Sequence, residues 1–479
     1  MQKIIGRKQE IEALRRCVES DRSEFVIVYG RRRVGKTFLV DYFFNKQYDF
    51  TYVGGHKLSK PKQLANFAKA LKKAASLPKQ PKFKDWDDAF EALEEYLDSL
   101  PRNKRKVVFI DEMPWIDTPQ SDFVEALEYF WNSWASRRED IVFIASGSAS
   151  SWMMDKLVDN PGGLHARITS HIYVRPFTLK ETQEYLQKKG FVLEHYNILE
   201  LYMIMGGIPF YLSLLDPKET LLENIDRLFF NINAPLASEF DELYNAIFKR
   251  ADRYIEVVEL LYKGRKSGMT FDQIQKATGM NGTSLGTILK NLVRCDFIIS
   301  YTQFGNKTKG TIYRLGDFYT LFYYKFIASA DSKDEQWWTH NFNSHSVESW
   351  QGYTFELICL THLPQIRHAL GISGISTSSS SWRYKAQKNN SHEKGAQIDL
   401  VIERADRQIN LCEIKFCQRE YPITADYAER IRERAGLFKE KTKTNKSIVN
   451  TFITTYGVKK GMYSSTATCE VIAQDLFAI

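Results

Sequence analysis

Eight residues, GRRRVGKT at Gly30–Thr37, carry the plainest chemistry in the chain. They fit the spacing G-x-x-x-x-G-K-[ST]. Gly30 and Gly35 let backbone N–H groups close around a phosphate chain at the positive end of a helix. Lys36 is placed to reach the β- and γ-phosphates of a nucleotide, and Thr37 to give its hydroxyl to Mg²⁺. The residues expected against the nucleotide are Gly30, Arg31, Arg32, Arg33, Val34, Gly35, Lys36, Thr37 and Phe38. The side chains of Arg31 to Arg33 are expected to point to solvent, with one of them able to neutralise phosphate charge.

Two further runs offer polar groups at strand ends. KVVFIDEMPW puts Asp111 and Glu112 directly after an apolar stretch. Asp111, beside the loop-bearing strand, is expected to join Thr37 around Mg²⁺. Glu112 is expected to polarise a water for attack on the γ-phosphate. DIVFIASGSASSWM ends in Ser146, Gly147 and Ser148. Ser146 is the preferred γ-phosphate contact, with Ser148 close behind; ordinary turn serines are the competing reading.

A third constellation lies near the end of the chain, in AQIDLVIERADRQINLCEIKF at 396–416. Asp399, Glu413 and Lys415 stand inside two apolar strands, where uncompensated charge is costly. Strand alternation sends Glu413 and Lys415 to one side, and a hairpin turn at about 403–408 brings Asp399 alongside. Two carboxylates there can hold a divalent cation, and the lysine can orient a water or stabilise phosphoryl charge. A structural cluster of ion pairs is the alternative.

The elements needed to position these groups are legible. Phe25–Tyr29 is an unbroken apolar run, as in a strand buried on both faces, and FLVDYFF continues the loop as a helix. Residues 245–325 change character: helix, turn, short helix, the turn GMNGTS, a third helix at 283–295, then two strand-like runs around QFGNKTKG. That is the order of a winged helix-turn-helix with its wing at 305–310. Ser284, Thr287, Lys290 and Asn291 are expected on the exposed face of the third helix, although Lys290 is the only basic residue in its body. SVESWQGYTFELICL has apolar residues at helical spacing, interrupted by Glu356. The order helix, strands, helix, strand makes the last third α/β.

Length and composition set the outer limits. The 479 residues call for two to four domains. With 43% hydrophobic and 26% charged residues, the chain reads as soluble globular protein. A net charge of +8 permits nucleic-acid contact without requiring it. Nine lysines and no acidic residue between Lys57 and Lys84 form a basic stretch, a DNA-backbone contact or simply a solvated face. Six scattered cysteines fit reduced thiols, and neither a signal peptide nor a membrane span is read. A cytoplasmic protein is expected.

The loop, the VVFIDE strand and the ASGS strand together resemble the AAA+/STAND branch of P-loop ATPases, and more narrowly the archaeal-type ATPase family. IIGRKQEIEALRR resembles that family's N-terminal box through Gly6, Arg7 and Glu10. LHARITSHIYVRPF matches at Arg167 and Pro176, and MGGIPFYL resembles the lid helix, with Pro209 near the adenine. The resemblance covers about residues 1–240. It implies ATP and Mg²⁺ as cofactors and Arg167 as a γ-phosphate trigger, in cis or from a neighbouring copy; a structural arginine is the alternative. The D-x₁₃-E-x-K pattern resembles the PD-(D/E)XK nuclease superfamily, with Glu356 as its additional acidic residue, although Ile398 stands where proline is usual. The module looks like the nuclease-like domain of uncharacterised function that accompanies archaeal-type ATPases.

The expected architecture is α/β: a P-loop ATPase core at 1–170, a helical lid at 171–244, a winged-helix-like domain at 245–328 and a restriction-endonuclease-like domain at 329–479. The expected function is ATP hydrolysis coupled to a metal-dependent domain acting on DNA, with homo-oligomers allowed. The alternative is a non-catalytic signalling or scaffold ATPase whose C-terminal domain binds only DNA or a protein partner.

Overall fold

The computed structural model describes residues 4–159, 164, 166–306, 310–328, 334–384 and 395–478. The middle of the expected wing, 307–309, lies outside the described residues. Strands β1 (Glu24–Tyr29), β2 (Phe50–Val53), β3 (Lys106–Asp111), β4 (Ile141–Gly147) and β5 (Ser170–Tyr173) form a wholly parallel sheet in the order β2-β3-β4-β1-β5. Alternation along β1 divides its side chains between two cores. Val26 and Val28 join one, and Phe25 and Ile27 the other, so helices cover both faces. The sequence predicts Asp111 beside the loop-bearing strand. Instead β4 lies between β1 and β3, and Asp111 reaches the loop across it.

The helices from Leu179 to Ile247 pack as an all-α layer continuous with the first core. Next come the helix Ala251–Lys263, β6 (Met269–Thr270), the helices Phe271–Thr278 and Gly282–Arg294, and the hairpin β7 (Ile298–Tyr301) and β8 (Ile312–Leu315). The small sheet runs β6-β8-β7. Asn281 caps the Gly282–Arg294 helix by accepting from the Ser284 N–H at 2.8 Å. Ser284, Thr287 and Lys290 are exposed as expected, but Asn291 is buried and donates to the Tyr254 hydroxyl at 2.8 Å. The end of this helix turns toward the first sheet, where Arg294 pairs with Asp155 (2.7 Å) and Asp159 (2.6 Å), and Lys290 with the same two.

The last sheet is mixed. β9 (Thr377–Tyr384), β10 (Ala396–Arg404) and β11 (Gln408–Lys415) run antiparallel, and β12 (Ser447–Thr454) and β13 (Cys469–Ile472) continue in parallel. Its order is β13-β12-β11-β10-β9. Leu400, Ile402, Cys412 and Ile414 face the helix His345–Thr361 through Phe355, Ile358 and Cys359. Val401, Ile409 and Leu411 face Phe438 of the helix Ala425–Thr442. The segment at 302–304 closes onto the β9 edge: the Phe304 N–H donates to the Ser381 carbonyl at 2.8 Å, and the Phe304 ring meets Phe438 at 5.0 Å. Among the described residues, no helix is long and apolar enough to cross a membrane, and the six cysteines are free thiols.

His362, at the end of the His345–Thr361 helix, ties that helix to the start of the helix Leu179–Lys189. Its Nε2 accepts from the Leu179 N–H at 3.2 Å, and its Nδ1 faces the Ile358 carbonyl at 2.9 Å. The neutral ring with its proton on Nδ1 satisfies both contacts. Burial pulls its pKa from 6.5 to about 4, and the Ile358 carbonyl opposes this only in part. The unfolded chain therefore binds an extra proton between pH 6.5 and 4, and this share of stability is lost as pH falls through that window. We expect a loss of about 3 kcal/mol from this site. Denaturant midpoints at pH 7.5 and 4.5 measure it; His362→Gln should reduce the difference, and an identical difference in the variant would refute the assignment.

Candidate nucleotide site and C-terminal carboxylate cluster

Residues 30–37 curve over the C-terminal end of β1. Gly30 has φ 147, and a Cβ there would stand 2.2 Å from the Val174 carbonyl oxygen. Gly35 (φ 90) opens the helix Lys36–Phe43 in the left-handed region. A cavity of about 820 Å³ lies over the loop. Arg32, Arg33, Val34, Gly35, Lys36, Thr37 and Phe38 line it, with Glu112, Ser148 and Pro209. Ile4, Ile5, Phe177, Tyr185 and Phe210 supply its apolar wall.

Lys36 is buried, and its ammonium donates to the carbonyls of Gly30 (3.2 Å) and Arg31 (3.1 Å) and to Ser148 Oγ (2.9 Å). Burial lowers its pKa, while the carboxylates of Glu112 and Asp111 oppose that shift. Thr37 Oγ1 donates to Asp111 Oδ2 at 2.8 Å. The other Asp111 oxygen accepts from the Glu112 N–H at 3.0 Å and from Ser146 Oγ. Glu112 sits in the left-handed region (φ 47), and its carboxylate is gripped by Ser148 through Oγ at 2.8 Å and N–H at 3.2 Å. Ser146 is thus turned inward onto Asp111, whereas Ser148 meets both Lys36 and Glu112.

The loop arginines depart from the expectation. Arg31 is 3% exposed and binds Asp317 with both terminal nitrogens; the second contact is 3.1 Å. Arg33 pairs with Glu239 at 2.6 Å and lies 4.1 Å over the Phe210 ring. Both turn into the protein because buried carboxylates on later elements await them, and Arg32 keeps to the cavity wall. Arg167 is exposed in a turn and is not among the residues lining the cavity. Pro209 opens the helix Pro209–Ser213, whose Phe210 N–H donates to the Arg33 carbonyl at 3.4 Å. The N-terminal box closes the other side. Arg7 donates to the Val34 carbonyl at 3.1 Å and stands 5.0 Å over Phe177. The aromatic wall escaped the sequence reading, since Phe177 and Tyr185 look there like ordinary core-facing positions.

This assembly, a glycine loop on β1 backed by Lys36, Thr37, Asp111 and Glu112, is matched by sequence comparison. Residues 4–215 match the family described as an ATPase domain predominantly from Archaea. Over these residues the chain is similar to an archaeal-type ATPase domain. An uncharacterised protein of Methanocaldococcus jannaschii is 25% identical over 328 residues, 68% of this chain and 69% of that protein. An uncharacterised ATP-binding protein of the same organism is 45% identical over 40 residues, 8% of this chain and 68% of that protein. Among solved structures, a Walker-type ATPase of Pyrococcus abyssi aligns with TM-score 0.46 and 17% identity, covering 66% of this chain and 95% of that one. The ORC2 protein of Aeropyrum pernix, in its ADPNP–ADP complexes, aligns with TM-score 0.40 and 15% identity, covering 66% of this chain and 90% of that one.

Beyond the ATPase domain, the carboxylates of the last sheet are heavily engaged. Glu413, 9% exposed, accepts from Lys415 Nζ at 2.7 Å, from the Tyr427 hydroxyl and from Arg434. Burial would raise its pKa, but Arg434 and Lys415 outweigh burial and hold it below the ordinary range. Asp399 stands where β10 skips one residue of register against β9, a bulge that re-aims its side chain. Its carboxylate accepts from Gln397 at 2.7 Å. Glu356 reaches Arg314 at 3.2 Å, and burial and then Asp399 push its pKa up to about 7. Among the described residues, no group of three or more His, Cys, Asp or Glu side chains stands close enough to hold a metal ion.

Proposed function

We propose that the ATPase domain binds ATP with Mg²⁺ in the cavity over residues 30–37 and hydrolyses it, and that the nucleotide state governs a C-terminal module that acts on DNA. The carrying observation is the convergence of Lys36, Thr37, Glu112 and Ser148 on the cavity wall, with Asp111 held behind Thr37. Thr37 Oγ1 and Asp111 offer hard oxygen donors that would hold Mg²⁺. When bound, the ion neutralises charge on the phosphates. Lys36 binds the phosphate oxygens by its ammonium. Glu112 takes the proton from the attacking water, and Ser148 holds its carboxylate in place. Ser146 acts through Asp111, which leaves Ser148 as the group facing the γ-phosphate. Arg167, exposed and away from its own cavity, suits a contact made across to a second copy. ATP turnover by the purified chain with Mg²⁺ is the test; a chain that neither binds nor hydrolyses ATP overturns this reading.

The C-terminal module supports a nuclease-like reading through its mixed sheet between two helices and through Asp399, Glu413 and Lys415 at one end of β10 and β11. Cation binding by Asp399, Glu356 and Glu413 would require Glu413 to exchange Arg434 or Lys415 for the ion. The engagement of Glu413 favours the rival reading, in which this module only binds DNA or a protein and the cluster is structural. The helix–helix–hairpin module at 245–328 has winged-helix order, and its exposed Ser284 and Thr287 are the positions to face DNA. We expect plasmid cleavage with Mg²⁺ and ATP to fall to background in Asp399→Ala. Native protein that cleaves no better than the variant would leave only the binding role.

A further inference from the structure

Two ion pairs lie three residues apart on one segment: one is buried on both sides, and the other joins a buried arginine to a partly exposed carboxylate. Asp317 takes the guanidinium of Arg31 from the phosphate-binding loop, and the two side chains are 1% and 3% exposed. Arg314, 2% exposed, takes Glu356 of the C-terminal module and lies 4.7 Å over the Tyr353 ring. Between them the backbone is pinned: the N–H groups of Gly316 and Asp317 both donate to the Phe297 carbonyl, at 2.9 and 3.2 Å. Asp317 also caps the next short helix by accepting from the Thr320 N–H at 3.0 Å. The segment therefore moves as one piece or not at all.

Arg31 is the residue that would move it. Its carbonyl holds the Lys36 ammonium at 3.1 Å, and its side chain holds Asp317. A phosphate chain seated in the loop competes with the Gly30 and Arg31 carbonyls for Lys36. At the far end, Arg314 offsets the negative charge that Asp399 and Glu356 impose on each other. The Arg31–Asp317 pair, buried on both sides, is sensitive to small displacements, because water cannot replace either partner.

We propose that residues 314–317 form a link through which nucleotide in the loop at 30–37 loosens Arg314 from Glu356 and so alters the Glu356/Asp399 carboxylate pair. The inference rests on nucleotide binding at that loop, and it does not require the C-terminal module to cut DNA. Lys36 turns to the phosphates, Arg31 shifts with its carbonyl released, Asp317 follows the guanidinium, and Arg314 withdraws along the pinned segment.

Amide hydrogen exchange on the full chain tests the link, with and without a saturating non-hydrolysable ATP analogue and Mg²⁺, while fluorescence anisotropy reports nucleotide binding separately. Nucleotide should speed exchange at residues 353–358 by roughly five-fold or more, the low end of ordinary coupling between sites. In Asp317→Asn at saturating nucleotide that response should disappear. In Arg314→Met, exchange at 353–358 should be fast with or without nucleotide. Anisotropy that shows binding while native exchange at 353–358 stays unchanged overturns the link and leaves the ATPase reading standing. An undiminished response in folded Asp317→Asn also overturns it. A chain that binds no nucleotide overturns both.

Discussion

Glu112→Gln is expected to bind ATP as the native chain does and to turn it over 10²- to 10⁴-fold more slowly, the usual range for loss of a general base. The amide keeps the shape of the carboxylate: its one oxygen can still accept from the Ser148 N–H (3.2 Å), while its NH2 replaces the oxygen that accepted from Ser148 Oγ (2.8 Å) and can donate to that hydroxyl instead. What it lacks is the capacity to take a proton. The change should therefore fall on turnover and spare affinity, a split that a merely structural residue would not produce. Single-turnover hydrolysis alongside equilibrium binding measures both quantities. Turnover within about ten-fold of native would remove Glu112 from the role of base and point to another group on the cavity wall.

Lys36→Ala is expected to act on binding itself. Charge-assisted hydrogen bonds are worth roughly 1.5–3 kcal/mol each, so losing two phosphate contacts should weaken ATP binding by on the order of 10² to 10⁴. The side chain also ties the Gly30 and Arg31 carbonyls to Ser148. A melting curve without nucleotide separates loss of fold from loss of ligand. If the variant stays folded and binds ATP with near-native affinity, the loop at 30–37 is not the phosphate site.

The two sites were unequally legible in the amino-acid order. The course of the loop was readable apart from its arginines, because glycine, lysine and hydroxyl at fixed spacing act through local backbone geometry. Asp111 and Glu112 were readable for the same reason: an apolar strand delivers whatever ends it to the sheet edge. Strand order was not, since nothing local in β1 or β3 records that β4 comes between them. The Arg31 side chain could not be placed either, because its partner lies 286 residues away. Ser146 and Ser148 show how fine the margin is. Ser146, still inside β4, ends on Asp111, and Ser148, just past the end of the strand, ends on Lys36. Helical amphipathicity put Ser284, Thr287 and Lys290 outside correctly, but it could not reveal that Tyr254 covers Asn291. In the last sheet, period-two alternation placed Glu413 with Lys415, while the register skip at Asp399 left no trace in the pattern.

The closure of β9 by residues 302–304 has a consequence for the solubility of the last sheet. An outer strand of a sheet carries unpaired backbone groups that invite other chains, and natural proteins cover it. Here the cover is supplied by the preceding module, through the Phe304 N–H on Ser381 and the Phe304 ring on Phe438. A gene fragment beginning after residue 328 would encode a sheet with that flank bare. The hairpin and the last sheet are therefore expected to fold and stay soluble together better than the sheet alone.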